Sequence, residues 1–371
     1  MWGRIFDEAG ARRPKAIRIR KKERHAMWSS GSYHRLRNGS IICDIVPTGA
    51  ALGRLFLSGG CGGFDNVLLA LADTAQYGRD ASYSGATLGP CAGRLSGASM
   101  AIGGHICRMR ANDGPNLLHG GEHGLSHQRF TCGAHIRAEG TESVTLRAVL
   151  PDGLDGWPGN RRIAIRYTLG PGPCLTINYR AATDKPTYLD LSTHAYWNLS
   201  GVFSSSALSQ KIQIRASRVL YNDARHLPVR AASVTGTPFD FLHPTALADA
   251  IARFPQDAQL KNARGYNNAF LLDDGAGPAV RLWDAAGTRR MDLFTDHPSV
   301  VLYSGGYLGR DTLLEDGKSA VPGCALALEP QNWPDAPHLP GAPSGILLPG
   351  ETYSRFVRFC FSPADLQGSV P

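Results

Sequence analysis

The sequence predicts an all-β fold, a large antiparallel β-sandwich. Three observations predict it. Apolar and polar residues alternate with period two along several segments. No 12-residue segment shows sustained helical periodicity. The 371 residues include 43 Gly and 24 Pro, and a chain so rich in turn formers favours short strands over long helices. Hydrophobic residues make up 43% and charged residues 19%, which provides for a sizeable core and argues against a disordered chain.

From the N terminus, residues 1–32 read as a basic extension and residues 33–365 as a single domain. Residues 1–25 hold nine Lys/Arg against three acids, so they carry +6 of the formal +8. Such a run is a solvated tail more often than a nucleic-acid arm. Upstream sequence read through before an internal start at Met27 is the alternative. The segment lacks an apolar h-region, so it is no secretory signal. No stretch of ~18 apolar residues is present, so no membrane span is expected.

The first glycine-rich stretch, Gly59-Gly60-Cys61-Gly62-Gly63, lacks a nucleotide-binding spacing and reads as a turn. Val144, Leu146 and Ala148 alternate as a strand. Ile163, Ile165, Tyr167 and Leu169, then Leu175, Ile177, Tyr179 and Ala181, flank Gly170-Pro171-Gly172-Pro173 as a hairpin. Ile212 and Ile214 mark another strand. Pro244 to Ile251 is the best helix candidate. Residues 279–283 and 289–295 flank a second hairpin turn, and strand signals continue to Phe361. Eight scattered cysteines, none in C-x-x-C, read as reduced core thiols of a cytoplasmic protein.

Few residues carry a chemical signal. His119-Gly-Gly-Glu122-His123 matches an inverted zinc-protease pattern, but that pattern needs a helix, which Gly120, Gly121 and Gly124 disfavour. A glycine-rich loop bringing one His close to a small ligand fits better. His194 lies among strand-forming aromatics. Glu329 ends the apolar run Ala325-Leu326-Ala327-Leu328. A Glu there is costly to bury unless paired or functional, and burial would raise its pKa towards that of a general base. Trp197 and Trp333 lie beside them in sequence. Aromatic faces suit the C–H faces of sugars, and Arg94, Asn267 and Asn268 suit hydroxyls.

Taken in order, the motifs resemble the aldose 1-epimerase (mutarotase) family over about residues 33–362. Gly85-Ala-Thr-Leu-Gly89 through Gly93-Arg94-Leu95, Asn116-Leu-Leu-His-Gly-Gly121, Asp155-Gly-Trp-Pro-Gly159, His194-Ala-Tyr-Trp-Asn-Leu199, Thr237-Pro-Phe-Asp-Phe241 and Leu328-Glu-Pro-Gln331 carry the resemblance. It implies a galactose-mutarotase-like β-sandwich and interconversion of the α and β anomers of a free aldose. Glu329 falls at the family's general base and His194 at its general acid. Arg94, His119, Asn267, Tyr196 and Trp333 are assigned to substrate binding. No metal or cofactor is implied, and the partner is a small sugar rather than nucleic acid or membrane, with the chain a monomer or homodimer.

The sequence departs from the family pattern around that pair. Asn267 stands where Asp is usual, Val301 where many members carry Gln, Gly93 where Asn stands beside the substrate Arg, and Thr193 where Asn precedes the acid. Two alternatives therefore stand beside an epimerase of free aldoses. One is a non-catalytic carbohydrate-binding or sensing protein on the same fold. The other is a hexose-6-phosphate 1-epimerase relative, which would need basic residues around its pocket.

Overall fold

A computed structural model describes residues 28–29, 31–58 and 63–363. The basic run 1–25 and residues 59–62, including Cys61, lie outside the described residues. The folded body reaches back to Trp28, inside the segment assigned to the extension. The Trp28 indole is buried, with the Arg54 guanidinium 3.6 Å from its ring centroid, and its N–H donates to the Leu71 carbonyl.

The principal strands follow in chain order. Four N-terminal strands, β1 (His34–Arg37), β2 (Ile41–Val46), β3 (Ala51–Ser58) and β4 (Phe64–Asn66), form one antiparallel sheet. Then come β5 (Thr141–Leu150), β6 (Arg161–Leu169), β7 (Cys174–Thr183), β8 (Tyr196–Trp197), β9 (Lys211–Ile214), β10 (Arg218–Asn222) and β11 (Pro228–Ser233). Two short helices, α1 (Leu247–Arg253) and α2 (Ala258–Ala263), precede β12 (Asn267–Leu271). The chain continues through β13 (Val280–Trp283), β14 (Arg289–Thr295), β15 (Ser299–Tyr303), β16 (Leu326–Gln331) and β17 (Tyr353–Pro363).

These strands build the sandwich. The large sheet runs β5-β6-β7-β17-β14-β13-β9, with short strands at its ends, and the second runs β8-β16-β15-β12-β10-β11. Every pairing named here is antiparallel. The two expected hairpins are β6–β7, with Leu169 opposite Leu175, and β13–β14.

The period-two pattern of the second sheet decides where the site lies. Successive strand residues face opposite sides. Leu326 and Leu328 of β16, Val300 and Leu302 of β15, Phe270 of β12 and Val219 of β10 enter the main core. They meet Met291, Leu293, Val357 and Phe359 of the large sheet there, and Trp197 packs on Phe359 at 4.7 Å between centroids. The alternate residues, Glu329, Val301, Tyr303, Ala269 and Asn267, turn to the other face and line a cavity.

Two expectations need correction. The helix begins at Leu247, because Thr245–Ala246 pair with Lys211–Ile212 at the sheet edge. A second helix follows, started by the Asp257 carboxylate, which accepts from the Gln259 and Leu260 N–H groups. The cysteines are not all thiols. Cys174 of β7 and Cys360 of β17 lie directly opposite in register and form a disulfide across 186 residues of chain. Cys43, Cys91 and Cys324 are buried thiols, and Cys107 and Cys132 are half-buried thiols.

Candidate active site

The cavity measures about 340 Å³ and opens above the outer face of the second sheet. Glu329 reaches it from β16, where the core-facing Leu328 fixes the parity of its neighbour. His194 lies just before β8. Its backbone N–H donates to the Ala86 carbonyl and its carbonyl accepts from Gly85. Since Tyr196 pairs with Ala327, antiparallel register brings His194 level with Glu329. The His194 Nε2 and a Glu329 carboxylate oxygen lie 3.6 Å apart, and both side chains are about 95% buried.

Burial sets their protonation. Desolvation raises Glu329 from 4.5 to about 8 and lowers His194 from 6.5 to about 4. The Arg94 charge opposes the rise at Glu329 without outweighing burial. Between those two values the pair holds one proton. Tyr83, Tyr196, Tyr303 and His119 surround the His194 ring at centroid distances of 4.7–6.2 Å. This ring of aromatics excludes the water that would otherwise stabilise an imidazolium.

His119 enters from a loop, and His119, His194 and Glu329 have their nitrogen and oxygen atoms within 4.8 Å of one another. By distance alone, the trio fits a cation. The hydrogen bonding of His119 argues otherwise. Its backbone N–H donates to the Gly93 carbonyl at 3.0 Å, and its ring Nδ1 accepts from the Gly93 N–H at 3.3 Å. Burial keeps the ring neutral, so the single ring proton sits on Nε2. A His that ligates a metal usually donates its other N–H to a partner; here that nitrogen accepts instead. His119 therefore presents a donor to the cavity.

The loop geometry depends on Gly120. A Cβ there would lie 2.0 Å from the Gly89 carbonyl oxygen, and its φ is +92°, a region that only glycine enters freely. The segment's other two members of the inverted zinc-protease spacing do not join the His119 cluster. Glu122 pairs with Arg110 and His123 with Asp155, both away from His119.

Arg94 lines the cavity and is held by a 2.7 Å hydrogen bond from its Nε to the Asp113 carboxylate. Tyr196 lines it as well, donating its hydroxyl to the Ser82 carbonyl at 3.1 Å, and Asn267 lies on its β12 side. Glu329, His194, Arg94, His119, Asn267 and Tyr196 thus surround one space.

Trp333 does not join them. It follows β16, packs against Leu220, Ala269, Leu271 and Val301 on the same face of the second sheet, and lines a separate surface cavity with Arg218 and Asp273, while its neighbour Pro334 faces the first cavity. Trp197 lies in the core, and Asn268 turns inward to donate to the Leu220 carbonyl.

With the geometry in place, comparison with known proteins is decisive. Residues 33–360 match the family described as aldose 1-epimerase. The chain belongs to the aldose 1-epimerase family. It is 31% identical over 333 residues to the galactose mutarotase of Mus musculus, covering 89% of this chain and 94% of that protein. It is 30% identical over 351 residues to the aldose 1-epimerase of Escherichia coli, covering 91% and 98%. Among solved structures, the GalM/aldose epimerase homologue from C. elegans matches with a TM-score of 0.81 at 26% identity, covering 90% of this chain and 99% of that one.

Membership makes this epimerase an isomerase acting on carbohydrates. Sequence reasoning missed several residues of its cavity. Tyr83, Tyr303, Tyr307, His226 and Asp311 also line it, and the His226 Nε2 lies 3.1 Å from the Tyr307 hydroxyl. Tyr303 was within reach, since it shares strand parity with Val301. The others lie in loops that carry no period. Among the described residues no helix is long and apolar enough to cross a membrane.

Proposed function

We propose that Glu329 and His194 carry the ring opening and closure by which this aldose 1-epimerase interconverts the anomers of a free aldose. Glu329 as carboxylate takes the proton of the anomeric hydroxyl. The C1–O5 bond breaks, its electron pair goes to the ring oxygen, and His194 as imidazolium protonates that oxygen. The open-chain aldehyde turns about C1–C2. Closure from the other face returns both protons. Each transfer is worth ~10²–10⁴-fold in rate.

The observation that carries this reading is the buried pair, 3.6 Å apart, with one proton shared between about pH 4 and about pH 8. In the productive form that proton sits on His194. Opposite charges at this separation attract by ~4 kcal/mol at an effective dielectric of ~20, which offsets much of the cost of moving the proton from Glu329. His119 donates from Nε2 and Arg94 supplies a fixed positive charge, so both stabilise negative charge building on sugar oxygens.

Arg94 is the one Lys or Arg lining the cavity among the described residues. That favours a neutral sugar over a hexose 6-phosphate. A monomer or homodimer in the cytoplasm completes the reading, and the disulfide is the feature that weighs against a reducing compartment. One-dimensional NMR of freshly dissolved α-D-galactose and α-D-glucose tests the activity: the protein accelerates anomer exchange and Glu329→Gln does not. Sugar binding by calorimetry with exchange at the buffer rate would instead support a binding protein.

A further inference from the structure

The floor of the cavity beside Glu329 is apolar, and the register shows which part of the sugar meets it. Glu329 of β16 lies directly opposite Val301 of β15, and Val301 lies opposite Ala269 of β12. Residues opposite one another in antiparallel strands project on the same face. Val301 and Ala269 are buried to within a few per cent and line the cavity. His194 lies on the other flank of Glu329, next to β8, since the sheet order is β8-β16-β15-β12. The line from His194 through Glu329 thus continues onto Val301 and Ala269.

An aldose ring has a fixed order of atoms, O5–C1–C2, with O1 on C1. With O5 at His194 and O1 at Glu329, C2 is directed away from His194, across β15. The groups it meets there are two hydrocarbon side chains. Gln331, two residues along the same face of β16, also lines the cavity, and its amide nitrogen and oxygen have no hydrogen-bond partner among the described residues. It lies along β16 opposite Ser299 and beside Gly93, off the line that crosses from Glu329 to Val301. Asn267 lies opposite Tyr303, two pairs further along its strand from Ala269 and two strands away from Glu329.

We infer that this epimerase does not recognise the C2 hydroxyl and takes 2-deoxyaldoses in preference to their parents, with Val301 as the residue that determines it. The inference rests on the proposed roles of Glu329 and His194. A hydroxyl turned onto Val301 loses water without gaining a partner, a penalty that falls on the parent sugar alone.

The test measures kcat/KM, corrected for spontaneous exchange, for galactose, glucose and their 2-deoxy forms. The wild-type protein prefers each 2-deoxy sugar by about threefold or more. Val301→Ile, which keeps the floor apolar, retains the preference, and Val301→Gln, which supplies an amide, reverses it. A wild-type protein that uses the 2-deoxy sugars no better than the parents overturns the inference, as does a preference unchanged in Val301→Gln. If the protein accelerates exchange of none of these sugars, the catalytic reading falls. Calorimetry then decides the recognition question alone: tighter binding of 2-deoxygalactose than of galactose supports it, and weaker binding overturns it.

Discussion

Replacing Glu329 with Gln should make the protein more stable, and more so as the pH rises. The substitution keeps the shape of the side chain and removes its ability to ionise. In the folded protein, burial raises the Glu329 pKa from 4.5 to about 8. The sign follows from linkage: a group whose folded pKa is raised contributes stability that is fully present below the unfolded pKa and is lost as pH rises through the folded one. At pH 4 the carboxyl is largely protonated in both states, and the Gln variant gains little. Between pH 4.5 and 8 the wild type loses ~1.4 kcal/mol per pH unit. By pH 9 the difference reaches an upper bound of ~5 kcal/mol, and ~3 kcal/mol is the working expectation, since the cavity admits water that softens the penalty. Urea denaturation of both proteins at pH 5 and pH 9 measures it. An equal stability difference at the two pH values would refute the reasoning, because a desolvated carboxyl cannot be pH-independent.

Three further outcomes follow from the same geometry. His194→Asn should lower kcat by ~10²–10⁴-fold while leaving the denaturation midpoint within the range of a modest core substitution, measured by NMR exchange and urea melts. Gly120→Ala should cost ~3 kcal/mol or more and lower activity through displacement of His119, because its Cβ meets the Gly89 carbonyl oxygen; an unchanged melt would show that the loop is not tightly determined. Alkylation of the unfolded protein without reductant should label Cys43, Cys91, Cys107, Cys132 and Cys324, with Cys174 and Cys360 protected, and Cys174→Ser should lower stability by ~2–4 kcal/mol under non-reducing conditions.

Much of this site was legible because alternation binds each strand residue to a face. The apolar run ending at Glu329 put Leu328 in the core and therefore Glu329 on the other side. The same rule separates Tyr196, in the cavity, from Trp197, in the core. Trp333 misled because β16 ends at Gln331, and beyond that end the side chain packs on Leu271 and Val301 and lines a separate cavity. The loop residues Tyr83, His226 and Asp311 reach the cavity through tertiary placement that no local period records. The Cys174–Cys360 bond was hidden for a related reason. The chain order of β7 and β17 does not reveal that they are neighbours, and only the register sets the two sulfurs opposite one another.

The central claim is that one proton shared between Glu329 and His194 drives the reaction. The pH dependence of kcat/KM for galactose, read as enzymatic minus spontaneous exchange, tests it most directly. With the proton held between about pH 4 and about pH 8, the profile should be bell-shaped, flat between those values. It should fall about tenfold per unit below the lower one, where no base remains, and above the upper one, where no acid remains. A rate that continues to climb through pH 9, or a profile unaltered in Glu329→Gln, would contradict it.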